Sequence, residues 1–334
     1  ISGNIIGVSG QTTTVTLEAG SGSVELDGII VNGSAGIGNV TIDGSGGITI
    51  DGNITTNGGN IDINDATTFA GSTALTTGGG SVDFASTINP ASGSRDLDIS
   101  SGSGTVSVGG TIGGTTGFGS LDINNASGTG AITLNDIGDT DTVGAFGTSR
   151  IGNDTTLTLE LAGTTYKTET VTYTSKAGEN IDLTGGANTT FTTTGEDITF
   201  GTGTLEMADG SNLIIDTGTG GGAIELAAGV MGTSSENITL TAGTGNVTVG
   251  AIGTGSEIAD VTITSTGTTT FNGDFIGGTL ENTGPVIAGA DINIGTGAVT
   301  FGGTLDSLNG SQAITFNTPG FEINITGAIG GTNE

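Results

Sequence analysis

The chain has 334 residues, 68 of them Gly, with no His, Cys or Trp, and 34 acidic against four basic residues give a net charge of −30. No imidazole base, Ser-His pair or thiol nucleophile is present, no disulfide or thiolate metal site can form, and the charge argues against nucleic acid or anionic membrane as a partner. Hydrophobic residues at 33% and aromatics at 4% are too few for a broad multilayer core and sufficient for a thin one.

In chain order, Val15-Thr16-Leu17 and Val24-Glu25-Leu26 with Ile30 make a first unit of two short alternating segments and an anchor. Val40, Ile48 and Ile54 open a second, and Ile61, Phe69 and Leu75 a third, so successive units start 21 to 25 residues apart. Val82, Phe84 and Ile88 read as a partial unit; Leu97, Val106 and Ile112, then Leu121, Ile132 and Ile137, read as full ones. After an irregular middle come Leu213/Ile224/Val230, Ile238/Val247/Ile252, Val261/Phe271/Phe275, Ile292/Val299/Leu305 and Ile314/Ile323/Ile329. Side chains two apart on a strand share a face, so the Ile, Leu and Val pairs point inward and residues such as Thr239 and Thr248 outward. One such ribbon has a single apolar face and must stack on its neighbours to bury it.

Three short β segments per unit, with Gly, Asn, Asp or Ser at the corners, predict an all-β chain folded as a right-handed parallel β-helix of about 21–25 residues per coil. Regular β-branched doublets exclude the disorder that a Gly-rich acidic composition otherwise suggests, and no 3.6-residue period separates the strands. Roughly fourteen coils at about 4.8 Å would make a stiff rod. The expected division is solenoid coils over 1–137, an irregular or hairpin-bearing insertion over 138–194, and solenoid coils over 195–334, all one continuous solenoid.

Residues 138–194 break the pattern. Leu157, Leu159 and Leu161 alternate, Ala162-Gly163-Thr164-Thr165 is a plausible turn, and Val171 and Tyr173 alternate again. The stretch reads equally as a hairpin or as irregular coils. It also holds Arg150, Lys167 and Lys176, three of the four cations, and both tyrosines; no Lys or Arg follows Lys176. These three cations are the candidates for assembly, since acids downstream of Lys176 have no basic partner and are relieved either by divalent cations or by a cationic surface on a neighbouring molecule.

The VTL, ITI, LDI and VTV segments with GxI anchors resemble the repeat regions of filamentous-haemagglutinin-like exoproteins, two-partner-secretion adhesins and related bacterial surface β-strand-repeat proteins. The resemblance covers most of the chain outside 138–194. It implies an extracellular, non-catalytic structural protein, secreted or on the cell surface, serving as a filament subunit or adhesin shaft, with a host or matrix receptor unspecified. The family's Asn-Pro-Asn secretion motifs are not matched, the one Asn-Pro being Asn89-Pro90, which leaves the secretion route open. The sequence opens without Met or a charged leader and holds no apolar run of the roughly 18 residues that suggest a membrane span. The expectation is a processed mature chain or a segment of something longer.

Other readings are weaker. β-Helical enzymes acting on polysaccharides need clustered acids or cations with aromatic platforms, and here Trp is absent and Tyr occurs twice. Asp136, Asp139 and Asp141, in a Gly-containing loop, have a spacing that could gather oxygens for calcium, against the plainer reading of a solvated polar loop. Gly78-Gly79-Gly80-Ser81-Val82-Asp83 lacks the glycine spacing of calcium-binding β-rolls. No other cofactor is expected. Asn-x-Ser/Thr triplets such as Asn53-Ile54-Thr55 and Asn246-Val247-Thr248 read as Asn corners before strands, with no glycan. Thr ladders, such as Thr239 with Thr262 or Thr248 with Thr300, suggest an ice-binding face, and Asp62, Asp98, Asp122 and Asn293 are read as interrupting that column. Finally, Ile1–Gly10 and the stretch after Ile329 carry no polar cap, so head-to-tail association into a homopolymer is expected, unless further coils of a longer array cover both ends.

Overall fold

Alternation of β-branched or aromatic residues with Thr, Asp and Asn builds strands mostly of three residues whose first and last side chains are buried, as in Ile61–Ile63, Val106–Val108 and Val247–Val249. The computed structural model describes residues 1–7, 12–31, 36–233, 235–294, 297–308, 314–316 and 320–330. Residues 8–10 and 331–334, within the two stretches read as uncapped, lie outside the described residues. Among the described residues all regular structure is strand, every pairing of neighbouring coils is parallel, and the coils of each unit stack as a β-solenoid. The chain comprises two compact units, Ile1–Glu179 and Asn180–Glu334.

The first unit has three walls. One runs through Thr13–Glu18, Ile37–Asp43, Ile61–Ile63, Val82–Phe84, Val106–Val108, Ile132–Leu134 and Leu159–Leu161. The second runs through Val24–Leu26, Ile48–Ile50, Thr67–Phe69 and Ile88–Pro90, then by single bridges through Ile112 and Ile137 to Tyr166. The third takes Ile5–Ile6, Ile30–Val31, Ile54–Thr55, Thr73–Thr76, Leu97–Ser100, Leu121–Ile123, Ser149–Ile151 and Val171–Tyr173.

This assignment corrects the expected phase. Leu97 lies opposite Thr73 on the third wall, so Val82–Phe84, Ile88–Pro90 and Leu97–Ser100 complete one coil and there is no partial unit. The hairpin alternative is also replaced by irregular coils. Leu159 pairs parallel with Ile132 and Val171 with Ser149, while Thr165–Lys167 stands between them on the second wall's line through Tyr166. Ala162–Thr164 is thus a coil corner leading into that strand, and Leu157 is exposed at 48%.

In the second unit, Asn188–Thr192, Asn212–Asp216, Asn237–Gly243, Ile258–Ser265, Phe275–Asn282, Val299–Phe301 and Ile323–Ile325 form one wall. Ile198–Phe200, Ile224–Leu226, Val247–Val249, Thr269–Phe271, Val286–Ala288 and Leu305–Ser307 form another. The remaining wall holds Asn180–Leu183, Thr204–Met207 and Val230–Met231, passes by bridges through Ile252 to Phe275, and continues in Ile292–Ile294 and Ile314–Phe316. Phe275–Asn282 bends across two walls, its start pairing with Ile292–Ile294 and its end with Val299–Phe301. Coil length therefore varies more than expected, from the 17 residues between Thr269 and Val286 to the 29 between Ile137 and Tyr166. Corners lengthen or vanish while the walls keep register.

Inward Ile, Val, Leu and Phe side chains fill each unit's core at essentially zero exposure. Phenyl rings meet edge to face within it, Phe271 with Phe275 at 5.9 Å and Phe191 with Phe200 at 5.0 Å, the geometry favoured by the ring quadrupole. At one corner of the first unit Gly38, Gly59, Gly80, Gly104 and Gly130 succeed one another, and a Cβ on any of the last four would run into the preceding glycine's backbone. Buried hydroxyls close the same corner: Thr56 Oγ1 donates to Gly59 O at 2.5 Å, Ser101 Oγ to Gly104 O at 2.6 Å, and Thr77 Oγ1 to Ser101 O at 2.9 Å. Asn side chains tie coil to coil. Asn39, Asn53, Asn60 and Asn246 accept from the backbone N–H of Asn60, Ala74, Ser81 and Thr268 at 2.8–3.0 Å. The Asn-x-Thr triplets at Asn53 and Asn246 thus serve the coil corners.

The Thr ladders are partly as expected. Thr239 and Thr262 are in register, as are Thr241 and Thr264. Thr248 instead faces Glu225 and Thr270, and Thr300 faces Glu281 and Asn324, on separate walls. Asp62 likewise stands on a different wall from Asp98 and Asp122, so no single column contains them.

Candidate functional site

The site residues singled out in the sequence fall in the longest coils of the first unit. Asp136 turns its carboxylate toward the next coil, where Oδ1 accepts Thr164 N at 2.7 Å and Thr165 N at 2.9 Å. Asp139 folds onto its own loop, with Oδ1 accepting Asp141 N at 2.8 Å and Thr142 N at 2.6 Å. Those backbone donors, first that of Thr142 and then that of Asp141, hold the exposed Asp139 carboxyl below its ordinary range, with a smaller contribution from Lys167. Among the described residues, no three metal-ligating side chains come together. Lys167 is the cation that the loop does hold: its Nζ donates to Thr140 O at 2.9 Å. The structure therefore joins one member of the calcium triplet to one of the assembly candidates, a pairing that their separation in sequence does not announce.

The other two assembly candidates are also engaged within the chain. Arg150 Nη1 lies 3.8 Å from Asp122 Oδ1, beside it in register, and Lys176 Nζ lies 3.7 Å from Glu179. Asp122 Oδ1 has no hydrogen bond, so its link to Arg150 is electrostatic and half exposed, a class worth at most about 1 kcal/mol. The fourth cation, Arg95, donates from Nε to Ala70 O at 2.6 Å. Both tyrosines are interior, their rings 6.3 Å apart and edge to face. Burial pushes both phenols well above their ordinary range, and Tyr166 Oη accepts Gly163 N at 2.8 Å. Neither ring faces solvent as a platform.

Several arrangements were missed. Asp62 and Asp83 face each other on neighbouring coils, as do Asp98 and Asp122. Desolvation, then the like charge beside each, raises the carboxyls of Asp62 and Asp98. In the second unit Glu236 is a fully buried carboxylate. Its Oε1 accepts from Thr233 Oγ1 at 2.6 Å and Gly210 N at 3.2 Å, and its Oε2 from Thr233 N and Ser235 N, both at 3.0 Å. The Thr-x-x-Glu spacing of Thr233 and Glu236 carried the signal, being the pattern of a reciprocal cap, here closing a corner rather than a helix. The described residues also form open hollows. One of about 290 Å³ in the second unit has Asp182 and Glu206, which are in register, on its rim. Another, of about 240 Å³, lies at a corner of the first unit.

No family model matches the sequence, and no similar curated protein or solved structure is found.

Proposed function

We propose that the chain is a non-catalytic structural solenoid of a bacterial exterior, the shaft of a surface adhesin or the subunit of an extracellular filament. The observation that carries this reading is the in-register stacking of each unit: inward positions are buried from coil to coil while Thr, Asp, Glu and Asn occupy the outward ones. Such a stack lengthens by adding coils without needing a second core, which is what a load-bearing shaft requires. A chain without imidazole or thiol, with its tyrosines buried, supports the non-catalytic part of the reading. The resemblance of its repeats to bacterial surface proteins supports an exterior location.

The partner proposed is more of the same fold. Ile6 in the first described coil, and Ile323 and Ile329 in the last, are exposed, Ile329 at 66%, and strand edges of this kind pair with whatever coil reaches them. In a shaft that coil belongs to the same polypeptide; in a filament it belongs to a second molecule docked head to tail. Sedimentation over a concentration series with electron microscopy separates the two. Filaments that grow with concentration establish the subunit, and uniform monomers leave the shaft. Release of reducing ends from a panel of polysaccharides would overturn the non-catalytic reading in either case.

A further inference from the structure

The corner asparagines Asn39, Asn53, Asn60 and Asn246 are restrained twice. Each spends Oδ1 on a backbone N–H of the next coil, and each is followed by Val or Ile, whose stiff branched side chain crowds the peptide N–H beside it. Asn272 has neither restraint. It lies in the corner between Thr269–Phe271 and Phe275–Asn282, is exposed, and is followed by Gly273. Its neighbour in the next coil is Gly289, where a Cβ would come within 3.3 Å of Asn272 Oδ1. Gly289 N already donates to Phe271 O at 2.7 Å, so it does not hold that oxygen. The Asn272 side chain makes no hydrogen bond among the described residues.

The amide that follows is equally free. Gly273 is half-buried, has no side chain to shield its nitrogen, and its N–H donates to no acceptor among the described residues. Asn57-Gly58, the other Asn-Gly pair among the described residues, supplies the contrast: Gly58 N donates to Thr77 O at 2.6 Å. The pairs at 32–33 and 309–310 lie outside the described residues. A backbone amide attacks a neighbouring side-chain carbonyl only when its nitrogen can turn toward Cγ and give up its proton. A hydrogen-bonded N–H is held back from that step, and an unpaired one is not.

We propose that Asn272 is a site of spontaneous deamidation. Gly273 N loses its proton to solvent base and bonds to Asn272 Cγ, the Cγ–Nδ2 bond breaks, and ammonia leaves a cyclic succinimide. Water then opens the ring. Addition at Cγ restores the main chain with an aspartate at position 272, and addition at the main-chain carbonyl carbon gives isoaspartate, with the chain routed through Cβ and Cγ. The net change is amide plus water to carboxylate plus ammonium, with no oxidant, enzyme or cofactor. The new carboxylate stands two residues from Asp274 in a unit without Lys or Arg, so its charge has no basic partner there. Isoaspartate also lengthens the corner that joins Phe271 to Phe275, whose rings meet edge to face at 5.9 Å. Gly273 in that corner is stacked so closely that a Cβ would come within 2.3 Å of Ala251 N. The inference rests on this corner alone, whether or not the chain is a surface shaft.

Peptide mapping by mass spectrometry of the full chain, aged at mildly alkaline pH with a parallel sample in urea, tests it. In the folded chain Asn272 is expected to convert about fivefold faster than Asn57, the rate equivalent of one backbone hydrogen bond. In urea, where that bond is gone, the two are expected to convert alike. Asn272→Gln, at an exposed position, is expected to leave the mass of peptides from this corner unchanged over the same period. Asn57 converting as fast as Asn272 in the folded chain, or Asn272 staying intact there after the urea sample has converted, would overturn the proposal.

Discussion

Asp62 and Asp98 of the first unit and Glu236 of the second are placed in opposite ways. In the first unit these two acids sit on strand faces, so parallel register brings Asp62 to Asp83 and Asp98 to Asp122, and like charges meet one coil spacing apart. In the second, Glu236 leaves the strand face for a corner and is fully buried among four donors. The difference teaches that in a parallel stack the local position of an acid, face or corner, decides whether its neighbours are other acids or backbone N–H groups. A face position repeats the charge; a corner offers amides that the turn has left unpaired.

The largest test of that comparison removes the corner acid. Glu236→Ala is expected to destabilise the second unit by about 2 kcal/mol, because the amides of Gly210, Thr233 and Ser235 lose their acceptor at a part-buried corner. Glu236→Gln keeps the shape and one acceptor and should cost about half as much. Urea unfolding together with hydrogen exchange at Thr233 and Ser235 reads both. An unchanged midpoint for the alanine variant would mean that a corner carboxylate has no special standing.

Corner chemistry without charge gives the next effect. Thr77 is fully buried, with its hydroxyl shared between the carbonyls of Gly80 and Ser101. Thr77→Val preserves the volume and strips the donor, so the first unit should lose about 1–2 kcal/mol by the same unfolding measurement. The outward Thr41, on a strand face opposite Asp62, should tolerate the same change within about 0.5 kcal/mol.

These corners mark where the sequence was legible and where it was not. Period-two spacing in segments such as Ile48-Thr49-Ile50 exposes the walls directly, since each inward pair is apolar and each middle residue polar. The phase of the walls is hidden, because Leu97-Asp98-Ile99 on the third wall and Val82-Asp83-Phe84 on the first share one chemistry. Only pairing distinguishes them. In the same way Ala162–Thr165 has a turn composition that suits a hairpin or a coil corner. The candidate site fared worse, because its partners lie a coil apart: Asp136 meets Thr164 and Thr165. Adjacency in sequence put Asp136, Asp139 and Asp141 in one group, whereas in the folded chain Asp136 and Asp139 turn to different backbone donors and Asp141 supplies one of them.

The loop that holds Lys167 offers a smaller test. Lys167→Met removes the ammonium from Thr140 O while keeping the stem. Exposed charge-assisted contacts of this kind are worth at most about 1 kcal/mol, so global stability should barely move, whereas hydrogen exchange at Asp141 and Thr142 should quicken. If added calcium then slows that exchange in the variant and not in the parent, the lysine occupies the place of a metal ion; equal behaviour would show the loop to be only a polar turn.

The smallest and most diagnostic effect is the pH dependence of the face acids. Asp62 and Asp98 have carboxyls raised above 3.8, the value of an unperturbed side chain, by desolvation and then by Asp83 and Asp122 respectively. A folded-state value above the unfolded one means that the native chain binds the proton more tightly. Ionisation of these two groups therefore penalises the fold at neutral pH, and the penalty is relieved as pH falls through their folded values toward 3.8. Asp139 has the opposite sign: its carboxyl is lowered, so its contribution is present above 3.8 and is lost only on further acidification. The groups facing the raised pair are Thr41 and Asp83 beside Asp62, and Ala74 and Asp122, with Arg150 beyond, beside Asp98. The first unit should thus gain stability from pH 7 down to about 4 and lose it below. Replacing Asp62 and Asp98 together by Asn should raise stability at pH 7 by under about 1 kcal/mol, the scale of a cross-strand like-charge pair, and flatten the rise on acidification. Thermal melts of parent and double variant at about 0.15 M salt, where charges more than about 8 Å apart are screened, separate this local effect from the repulsion of the whole acidic chain. A double variant whose melting still rises as steeply as the parent's would assign the pH dependence to net charge and remove the face acids from the account.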